Sequence, residues 1–443
     1  MVLQQKIAAP VWGWADADEN ITVQFNGQTK TTKADDKGKW AVALDATDAG
    51  GPFTLTVKGK NELKYDNVLV GEVWVGSGQS NMQWNVGNTI NVSNETLDFP
   101  DIRLITVPCV AKEEPQDNFN GQWTVSTAKT APGFSAVLYY FGRKLHQELK
   151  IPVGLVHCSW GGSSCEAWVN EKILAGNPEY AQIFERRKNF DPKLPSARIN
   201  HQVGLLYNGM LHPIIGYGIR GVVWYQGETN SGRSYQHRVL FPALIKNWRD
   251  EWKQGDFPFY WCQLANFTAT NSEPAESGWA EMRESQSMTR SVPHTGEAVI
   301  IDIGEAKDIH PRNKQDVGLR LAYLALAQDY GKQIPFESPR YNSVKFDGDK
   351  AELKFDFAYN GLYSRGALPT GFQIAGEDKV FYWANAEITG KDTVVVSSPK
   401  VAKPVAVRYG WANNPVVTLY NSANLPMNPF RTDDFPGVTI NNK

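Results

Sequence analysis

Cysteine, net charge and long apolar runs are all scarce in this sequence, and each scarcity excludes a class of protein. The 443 residues include only four cysteines, too few and too widely spaced for a disulfide scaffold or a paired-cysteine zinc site, and whether Cys158 and Cys165 pair is left open. Lysine and arginine number 45 against 47 aspartates and glutamates. The formal charge of −2 gives no field that would attract nucleic acid or an anionic membrane. No apolar run reaches the length of about 20 residues that a membrane span needs.

Motifs for metals and nucleotide cofactors are also missing. The sequence contains no H-E-x-x-H, no Cys/His ligand spacing, no G-x-x-x-x-G-K-[ST] and no G-x-G-x-x-G. We therefore expect a protein that works without a metal or a cofactor. Aromatic residues, by contrast, are abundant at 12%, with 15 tryptophans. Their flat faces can hold sugar rings, which slightly favours a carbohydrate ligand over the alternative of tryptophan-rich β-domains.

Hydrophobic periodicity divides the chain into three parts. Residues 1–66 alternate like β-strands with hairpin signals, as in ITVQFNGQTKTTKADDKGKWAVAL, and predict an N-terminal β-sandwich. Residues 67–335 alternate apolar strands, such as VLVGEVWVGSG, with helical segments, such as SAVLYYFGRKLHQELK. This alternation predicts an α/β domain with a mostly parallel sheet and helices on both faces. Residues 336–443 return to short strand patterns and predict a C-terminal β-rich domain.

Four short segments with unusual residue combinations follow predicted strands of the α/β domain. They are GQSNM at residues 78–82, SWGGSSCEAW at 159–168, WYQGETN at 224–230 and DIHPRNK at 308–314. Reactive and ligand-binding groups collect beyond the carboxyl ends of strands in open α/β sheets. Ser80, on a glycine-containing turn after a strand, is therefore placed to do chemistry, although a serine in such a position also commonly caps a helix.

In this order the four segments resemble those of the sialate O-acetylesterase family, in the SGNH (GDSL-like) hydrolase superfamily. The resemblance extends over roughly residues 1–335, and the late segment LPMNPFRTDD is also similar to the end of such proteins. It implies an SGNH-type, flavodoxin-like three-layer sandwich flanked by N-terminal and C-terminal β-domains. It also implies a serine esterase that removes O-acetyl groups from a carbohydrate through an acetyl-serine intermediate.

The resemblance assigns the catalytic residues. Ser80 is the expected nucleophile, and His310, just before the last predicted helix, is the expected general base. Asp308 is the expected acid that orients the histidine. The superfamily pattern is D-x-x-H, whereas here the aspartate lies two residues before the histidine. Asp302, Glu305 and a backbone carbonyl therefore remain open as alternatives.

The predicted oxyanion hole combines the N–H of Ser80, the N–H of Gly161 or Gly162, and a side-chain amide. Most of the superfamily supplies that amide from an asparagine in a G-x-N-D block, which this sequence replaces with QGETN. Gln226 is the first candidate for the amide donor and Asn230 is the second. Further side chains that we expect to brace the site or to contact the substrate are Gln79, Asn81 and Glu228.

The sequence leaves the acetylated sugar open between sialic acid and a plant-wall glycan. Sialate recognition would need an arginine for the carboxylate, and Arg198, Arg233 and Arg312 are the candidates. Two other functions remain as alternatives. One is a non-catalytic carbohydrate-binding protein on an esterase scaffold, and the other is a glycoside hydrolase with a carboxylate pair, which would leave GQSNM and D-x-H-P unexplained.

The amino terminus lacks the basic, apolar and small-residue pattern of a signal peptide. The substrates of the resembled family are extracellular glycans. We therefore expect export to the periplasm or the cell exterior, with the signal peptide absent from this chain. The sequence makes no prediction of the oligomeric state.

Overall fold

The fold is known from a computed structural model, which describes residues 1–94 and 96–443. These residues form 23 β-strands and seven α-helices. Their buried apolar side chains form four clusters: one on each face of a central sheet, one in the N-terminal β region and one in the C-terminal β region. This arrangement confirms the predicted α/β class with β structure at both ends.

The N-terminal β region shares a strand with the central sheet. Its strands are β1 (Val2–Gln4), β2 (Ala9–Trp14), β3 (Asn20–Phe25), β4 (Gln28–Lys33), β5 (Lys39–Leu44), β6 (Gly50–Lys58) and β7 (Glu62–Gly78). The first half of β7 pairs antiparallel with β6, and its second half enters the central sheet. The predicted boundary between residues 66 and 67 therefore falls inside one continuous strand, which ends two residues before Ser80.

The central sheet is mostly parallel. Its remaining strands are β8 (Phe99–Thr106), β9 (Thr124–Ser126), β10 (Val153–Ser159), β11 (Gly221–Tyr225), β12 (Phe259–Cys262) and β13 (Thr295–Ala298). They lie in the order β13-β12-β11-β7-β10-β8-β9, and only β9 runs antiparallel to its neighbour. Strand β10 lies between β7 and β8, whereas the 2-1-3-4-5 order of flavodoxin would place β7 between β8 and β10. The register aligns Gly78 with Ser159 and Tyr225, so three of the four predicted segments begin at one edge of the sheet.

Helices cover both faces of this sheet. They are α1 (Ser80–Gln83), α2 (Ala136–Leu149), α3 (Glu171–Leu174), α4 (Ala181–Lys188), α5 (Ser234–Trp252), α6 (Gly278–Met288) and α7 (Lys314–Gln328). Alternate residues of β7 point to opposite faces. Trp74 packs among the residues of α2 and α7, whereas Val73 and Val75 pack on the side of α5. The result is the three-layer arrangement that the resemblance implied.

The C-terminal β region packs against the α/β part through buried polar contacts. Its strands are β14 (Arg340–Asp347), β15 (Lys350–Asp356), β16 (Leu362–Ser364), β17 (Phe372–Ala375), β18 (Phe381–Trp383), β19 (Asn385–Ile388), β20 (Thr393–Ser397), β21 (Ala406–Tyr409), β22 (Leu419–Asn421) and β23 (Phe430–Arg431). Arg283 of α6 donates to the carbonyl oxygens of Ala412 and Asn413 at 2.7 and 3.0 Å.

Among the helices that the structure describes, none combines the length and the apolar character of a membrane span.

Candidate active site

A glycine turn at the end of β7 positions Ser80. Gly78 has φ of +132°, and a Cβ atom there would collide with the carbonyl oxygen of Tyr225 on β11. Because only glycine fits this conformation and this close approach, the chain can turn sharply and begin α1 at Ser80. The N–H of Gln79 donates to the same Tyr225 oxygen at 3.0 Å, which holds the turn against the sheet.

Ser80, His310 and Asp308 form a hydrogen-bonded series. The Nε2 atom of His310 lies 2.9 Å from Ser80 Oγ, and its Nδ1 atom lies 3.2 Å from Asp308 Oδ1. The same carboxylate oxygen accepts the backbone N–H of His310 at 2.9 Å. Hydrogen bonds from this N–H and from the ring lower the pKa of Asp308. A serine, an imidazole and a carboxylate in this order can perform nucleophilic acyl transfer.

The other two acids near His310 have different partners. Asp302 is buried and forms an ion pair with Arg320, at 2.6 Å. Glu305 accepts the backbone N–H of Arg312 at 2.9 Å. Of the three acids considered from the sequence, Asp308 is therefore the one that contacts the imidazole.

Trp84 is a site residue that the sequence analysis missed. Its indole stacks on the His310 ring with the centroids 5.1 Å apart and the planes inclined by 17°. Its N–H donates to the carbonyl oxygen of Asn88 at 3.2 Å, which fixes the indole. The stacking restricts rotation of the imidazole. The available signal was the tryptophan that follows GQSNM by two residues.

A buried polar network lies behind the Ser80–His310 pair. Asn81 Nδ2 donates to Glu228 Oε1 at 2.6 Å and to the carbonyl oxygen of Ile309 at 3.0 Å. Asn81 Oδ1 accepts a hydrogen bond from Lys314 Nζ. Asn81 therefore links the turn that carries Ser80 to the loop that carries His310. The sequence analysis singled out Asn81 and Glu228 but missed Lys314, the first residue of α7.

Burial dominates the electrostatics of this network. Lys314 is fully buried, and desolvation lowers the pKa of its ammonium group to about 7. Burial also raises the pKa of Glu228, whose Oε2 atom is buried without a hydrogen-bond partner among the described residues. For both groups the effect of desolvation is larger than their mutual attraction. Each pKa is therefore displaced toward the neutral form of its group.

The glycine loop after β10 lies beside Ser80. A Cβ atom on Gly161 would lie 3.4 Å from Ser80 Cβ, so the two residues are in close proximity. The N–H of Gly161 donates to Gln83 Oε1 at 2.8 Å. The N–H groups of Ser80 and Gly162 make no hydrogen bond within residues 1–94 and 96–443. These two backbone donors are therefore available to a ligand.

The two candidate amide donors are engaged within the protein. Gln226 Nε2 donates to the carbonyl oxygen of Ser163 at 3.2 Å and to Asn230 Oδ1 at 2.7 Å. Asn230 Nδ2 donates to the buried carboxylate of Glu166 at 2.9 Å. Gln79 Oε1 faces the N–H groups of the β11–α5 loop, at 3.4 Å from that of Thr229. These side chains brace the loops around Ser80, and the role of Gln226 as an oxyanion donor stays a prediction.

A polar cavity of about 430 Å³ adjoins the glycine loop, and we name it the arginine cavity. Thr229 in its wall donates to the carbonyl oxygen of Gly162 at 3.2 Å. Charged side chains that line it are Glu166, Arg186, Asp191, Arg198 and Arg233. Arg233 pairs with Glu166 at 2.8 Å, whereas Arg198 forms no ion pair in the part of the chain that the structure describes. The third candidate, Arg312, lies outside the cavity next to Glu305.

The cysteines and the possible metal-ligating side chains were the other candidates for reactive chemistry. All four cysteines are free thiols, including Cys158 and Cys165. Among the described residues, no three histidine, cysteine, aspartate or glutamate side chains are grouped so that they could bind a metal ion.

Comparisons with known proteins find relatives along almost the whole chain. Residues 70–323 match the family model described as carbohydrate esterase, sialic acid-specific acetylesterase. The sialate O-acetylesterase of Homo sapiens is 32% identical over a 500-residue alignment that covers 100% of this chain and 93% of the human one. The mouse enzyme of the same name is 29% identical, over 97% of this chain and 92% of its own. A crystal structure of a carbohydrate acetylesterase from Xanthomonas citri has a TM-score of 0.90 and 41% identity, covering 98% of this chain and 97% of that one.

Proposed function

The chain belongs to the family of sialic acid-specific acetylesterases and is a carbohydrate O-acetylesterase, and we propose that it is a serine esterase that works through an acetyl-Ser80 intermediate. The observation that carries this mechanism is the 2.9 Å contact between Ser80 Oγ and His310 Nε2, with Asp308 at the opposite ring nitrogen. A hydroxyl in this contact can lose its proton to the imidazole as it attacks a carbonyl carbon.

The proposed reaction has two halves. Ser80 Oγ bonds to the acetyl carbon while His310 Nε2 takes the hydroxyl proton. The bond between the acetyl carbon and the sugar oxygen then breaks, and His310 returns the proton to that oxygen. In the second half, His310 takes a proton from water, the resulting hydroxide attacks acetyl-Ser80, and acetate leaves as Ser80 regains its proton.

Backbone groups supply the proposed oxyanion hole. The N–H groups of Ser80 and Gly162 have no acceptor among the described residues, so they can donate to the negative oxygen of the tetrahedral intermediate. The N–H of Gly161 becomes a third donor if the exposed Gln83 side chain moves away. Backbone donors suffice for this role without Gln226, whose amide hydrogens already have acceptors.

The arginine cavity supports an acidic sugar as substrate. Three arginines and two carboxylates line it, which gives a net positive charge next to the glycine loop. Arg198 is exposed and donates to the nearby backbone carbonyls of Pro195 and Ala197, at 3.5 and 3.1 Å. We propose that Arg198 binds the carboxylate of an O-acetylated sialic acid while its acetyl group reaches Ser80. Such glycans are extracellular, so we also propose that the enzyme acts outside the cytoplasm.

The two alternative functions have less support. A non-catalytic binding protein would not need Ser80 and His310 in hydrogen-bond contact. A glycoside hydrolase needs two carboxyl groups on either side of a sugar-binding cleft. Ser80 is instead surrounded by an imidazole, backbone donors and amides, which suits acyl transfer.

Measurement of acetate release from Ser80→Ala tests the mechanism. We expect the variant to lose at least about 10³-fold in kcat on a chromogenic acetyl ester while it folds normally, because one hydroxyl is removed from a half-buried turn. Acid quenching and mass spectrometry of the wild-type protein should detect one acetyl group on the peptide with Ser80. The exposed Ser291→Ala serves as the control. Substantial activity in Ser80→Ala would refute the acetyl-serine mechanism.

Arg198→Gln tests the substrate separately. We expect KM for an O-acetylated sialoside to rise about tenfold, since one charge-assisted contact is lost, while hydrolysis of the uncharged chromogenic ester stays unchanged. Equal effects on both substrates, or none, would contradict a carboxylate site in the arginine cavity.

A further inference from the structure

A second cavity, of about 410 Å³, lies in the N-terminal part of the protein and has no part in the proposed acetyl transfer. We name it the tryptophan cavity. It opens between the two-stranded ribbon of β2 and β5 and two segments of the α/β part. Its walls include Trp12, Trp14, Lys39, Asp117 and His212.

The ribbon presents two tryptophans on one face. Trp12 and Trp14 are alternate residues of β2, so their side chains share a face, and the residues opposite them on β5 are Ala41 and Lys39. Trp14 is 49% exposed. Trp12 is held by an edge-on contact with Tyr217, at 6.4 Å between ring centroids. One indole is thus fixed and the other is largely open to solvent.

Polar groups around these indoles have unused hydrogen-bonding capacity. His212 Nδ1 lies 2.8 Å from the carbonyl oxygen of Gln116, which can only accept, so Nδ1 carries the proton and Nε2 of the neutral ring is an acceptor. Lys39 pairs with Asp117 at 2.5 Å, and both side chains are about half exposed. Neither Trp12 nor Trp14 donates its indole N–H to any residue that the structure describes. The cavity therefore offers both donors and acceptors beside flat apolar faces.

This combination fits one class of ligand. The C–H faces of a pyranose ring pack on an indole, and its hydroxyl groups both donate and accept hydrogen bonds. The lining carries one lysine, Lys39, against the two carboxylates of Asp35 and Asp117, unlike the surplus of arginine in the arginine cavity, so the tryptophan cavity does not favour an anion. We propose that the tryptophan cavity binds neutral sugar units of a glycan, as an accessory site that tethers a long substrate.

A chain segment connects this cavity with the surroundings of Ser80. Gln83, one turn after Ser80, has its Nε2 atom 3.6 Å from Cys109 Sγ. Asp117, in the wall of the tryptophan cavity, follows Cys109 by eight residues. Eight residues span at most about 29 Å when fully extended, so the two sites are close enough for one oligosaccharide or polysaccharide chain to contact both. The tryptophan cavity rests on the proposed function only in that a carbohydrate esterase meets glycans. Sugar binding at the cavity can be measured without any acetyl group.

Calorimetric titration with unacetylated oligosaccharides tests the site directly. The probes are xylohexaose and cellohexaose, as models of plant-wall glycans, and lacto-N-tetraose, as a model of the neutral part of animal glycans. We expect at least one to bind the full-length protein with Kd below about 1 mM, and Trp14→Ala to weaken that binding at least about tenfold. Tyr65→Ala, at a 47% exposed aromatic residue of the same β region, is the matched control and should bind normally.

Activity gives a second measurement. Trp14→Ala should hydrolyse a small chromogenic acetyl ester like the wild-type protein, but its kcat/KM on the acetylated polymer related to the bound probe should fall about tenfold. The proposal is overturned if the wild-type protein binds none of the three probes, or if Trp14→Ala binds them as tightly as Tyr65→Ala does. Absence of acetate release from every ester would refute the proposed function instead, and the binding result would stand by itself.

Discussion

Asp308 differs from the acid of a buried catalytic triad in its exposure to solvent. Its side chain is 48% exposed, and its contact with His310 is 3.2 Å long. Water screens an exposed carboxylate, so Asp308 should stabilise the imidazolium less than a buried acid would. We therefore expect Asp308→Asn to lower kcat by about 10² to 10³, rather than the 10⁴ known for a buried triad, with little change in KM.

The control for this experiment is Glu305→Gln, because Glu305 bonds to the backbone of Arg312 and not to the imidazole. Its kcat should stay within about threefold of the wild-type value. Steady-state kinetics on a chromogenic acetyl ester measure both variants. A larger defect in Glu305→Gln than in Asp308→Asn would show that the orienting acid has been misassigned.

Lys314 should make the stability of the protein depend on pH in alkaline solution. Its pKa is about 7 in the folded state against an ordinary value of 10.5, so the unfolded chain binds more protons between these two pH values. The free energy of unfolding contributed by Lys314 therefore rises with pH across this window, by up to about 1.4 kcal/mol per pH unit, and is constant below it.

Urea denaturation of wild-type protein and Lys314→Met at pH 7, 8 and 9 measures this contribution. The difference between their free energies of unfolding at each pH isolates Lys314, because the contributions of the other titrating groups cancel. The wild-type protein should gain stability relative to Lys314→Met as the pH rises. Lys307→Met, at an exposed lysine of the His310 loop, should show no such trend. A pH-independent difference for Lys314→Met would contradict a depressed pKa.

The site residues that could be predicted from sequence are those defined by local motifs. Ser80 and His310 stand in GQSNM, just after β7, and in D-x-H-P, just before α7, and their Oγ and Nε2 atoms lie 2.9 Å apart. Lys314 carries no such signal, and the signal for Trp84 is limited to its position two residues after GQSNM. A lysine at the start of a helix is ordinarily exposed, and only the packing of Asn81 and Glu228 against it explains its burial.

At the scale of elements, the turn between β7 and α1 depends on one glycine. Gly78→Ala forces a Cβ into the carbonyl of Tyr225 and a φ of +132° on an L-residue. We expect a loss of about 2 to 4 kcal/mol in the free energy of unfolding and a fall of at least about 100-fold in kcat, since Ser80 moves with the turn. Denaturation and kinetics on one protein preparation measure both effects. Gly232→Ala, where a Cβ meets open space, should be nearly neutral.

Sequence periodicity predicted the elements better than their connections. Continuous apolar runs identified the parallel strands, because burial on two faces removes the alternation with polar residues, and apolar residues at helical spacing identified α2. The pattern carries no information on which strands are neighbours, so the position of β10 between β7 and β8 could not be foreseen. The continuity of β7 across residues 66 and 67 could not be foreseen either. Its antiparallel half and its parallel half differ in composition, and this difference suggests a domain boundary.

At the scale of the whole molecule, Arg283 couples the C-terminal β region to the α/β part. It is fully buried and pairs with no carboxylate of the described residues, and desolvation lowers the pKa of its guanidinium to about 9, so it stays charged at neutral pH. It donates to four backbone carbonyls, which belong to Leu264 and Ala265 after β12 and to Ala412 and Asn413 after β21. These bonds join two parts of the chain that lie about 150 residues apart in sequence.

Replacement of this arginine should therefore weaken the whole molecule and not only α6. In Arg283→Met the four carbonyls lose the guanidinium as donor, although that of Ala265 keeps the indole N–H of Trp279, and we expect the free energy of unfolding to fall by about 3 kcal/mol. The C-terminal β region should also become the first part to be cleaved in limited proteolysis, since two of its buried hydrogen bonds to the α/β part are removed. Lys403→Met, at an exposed cation of the same region, should leave both measurements unchanged. If Arg283→Met unfolds like the wild-type protein, the other contacts between the two parts, such as the ion pairs of Arg408 with Glu276 and of Arg431 with Glu284, hold the C-terminal region without the buried guanidinium.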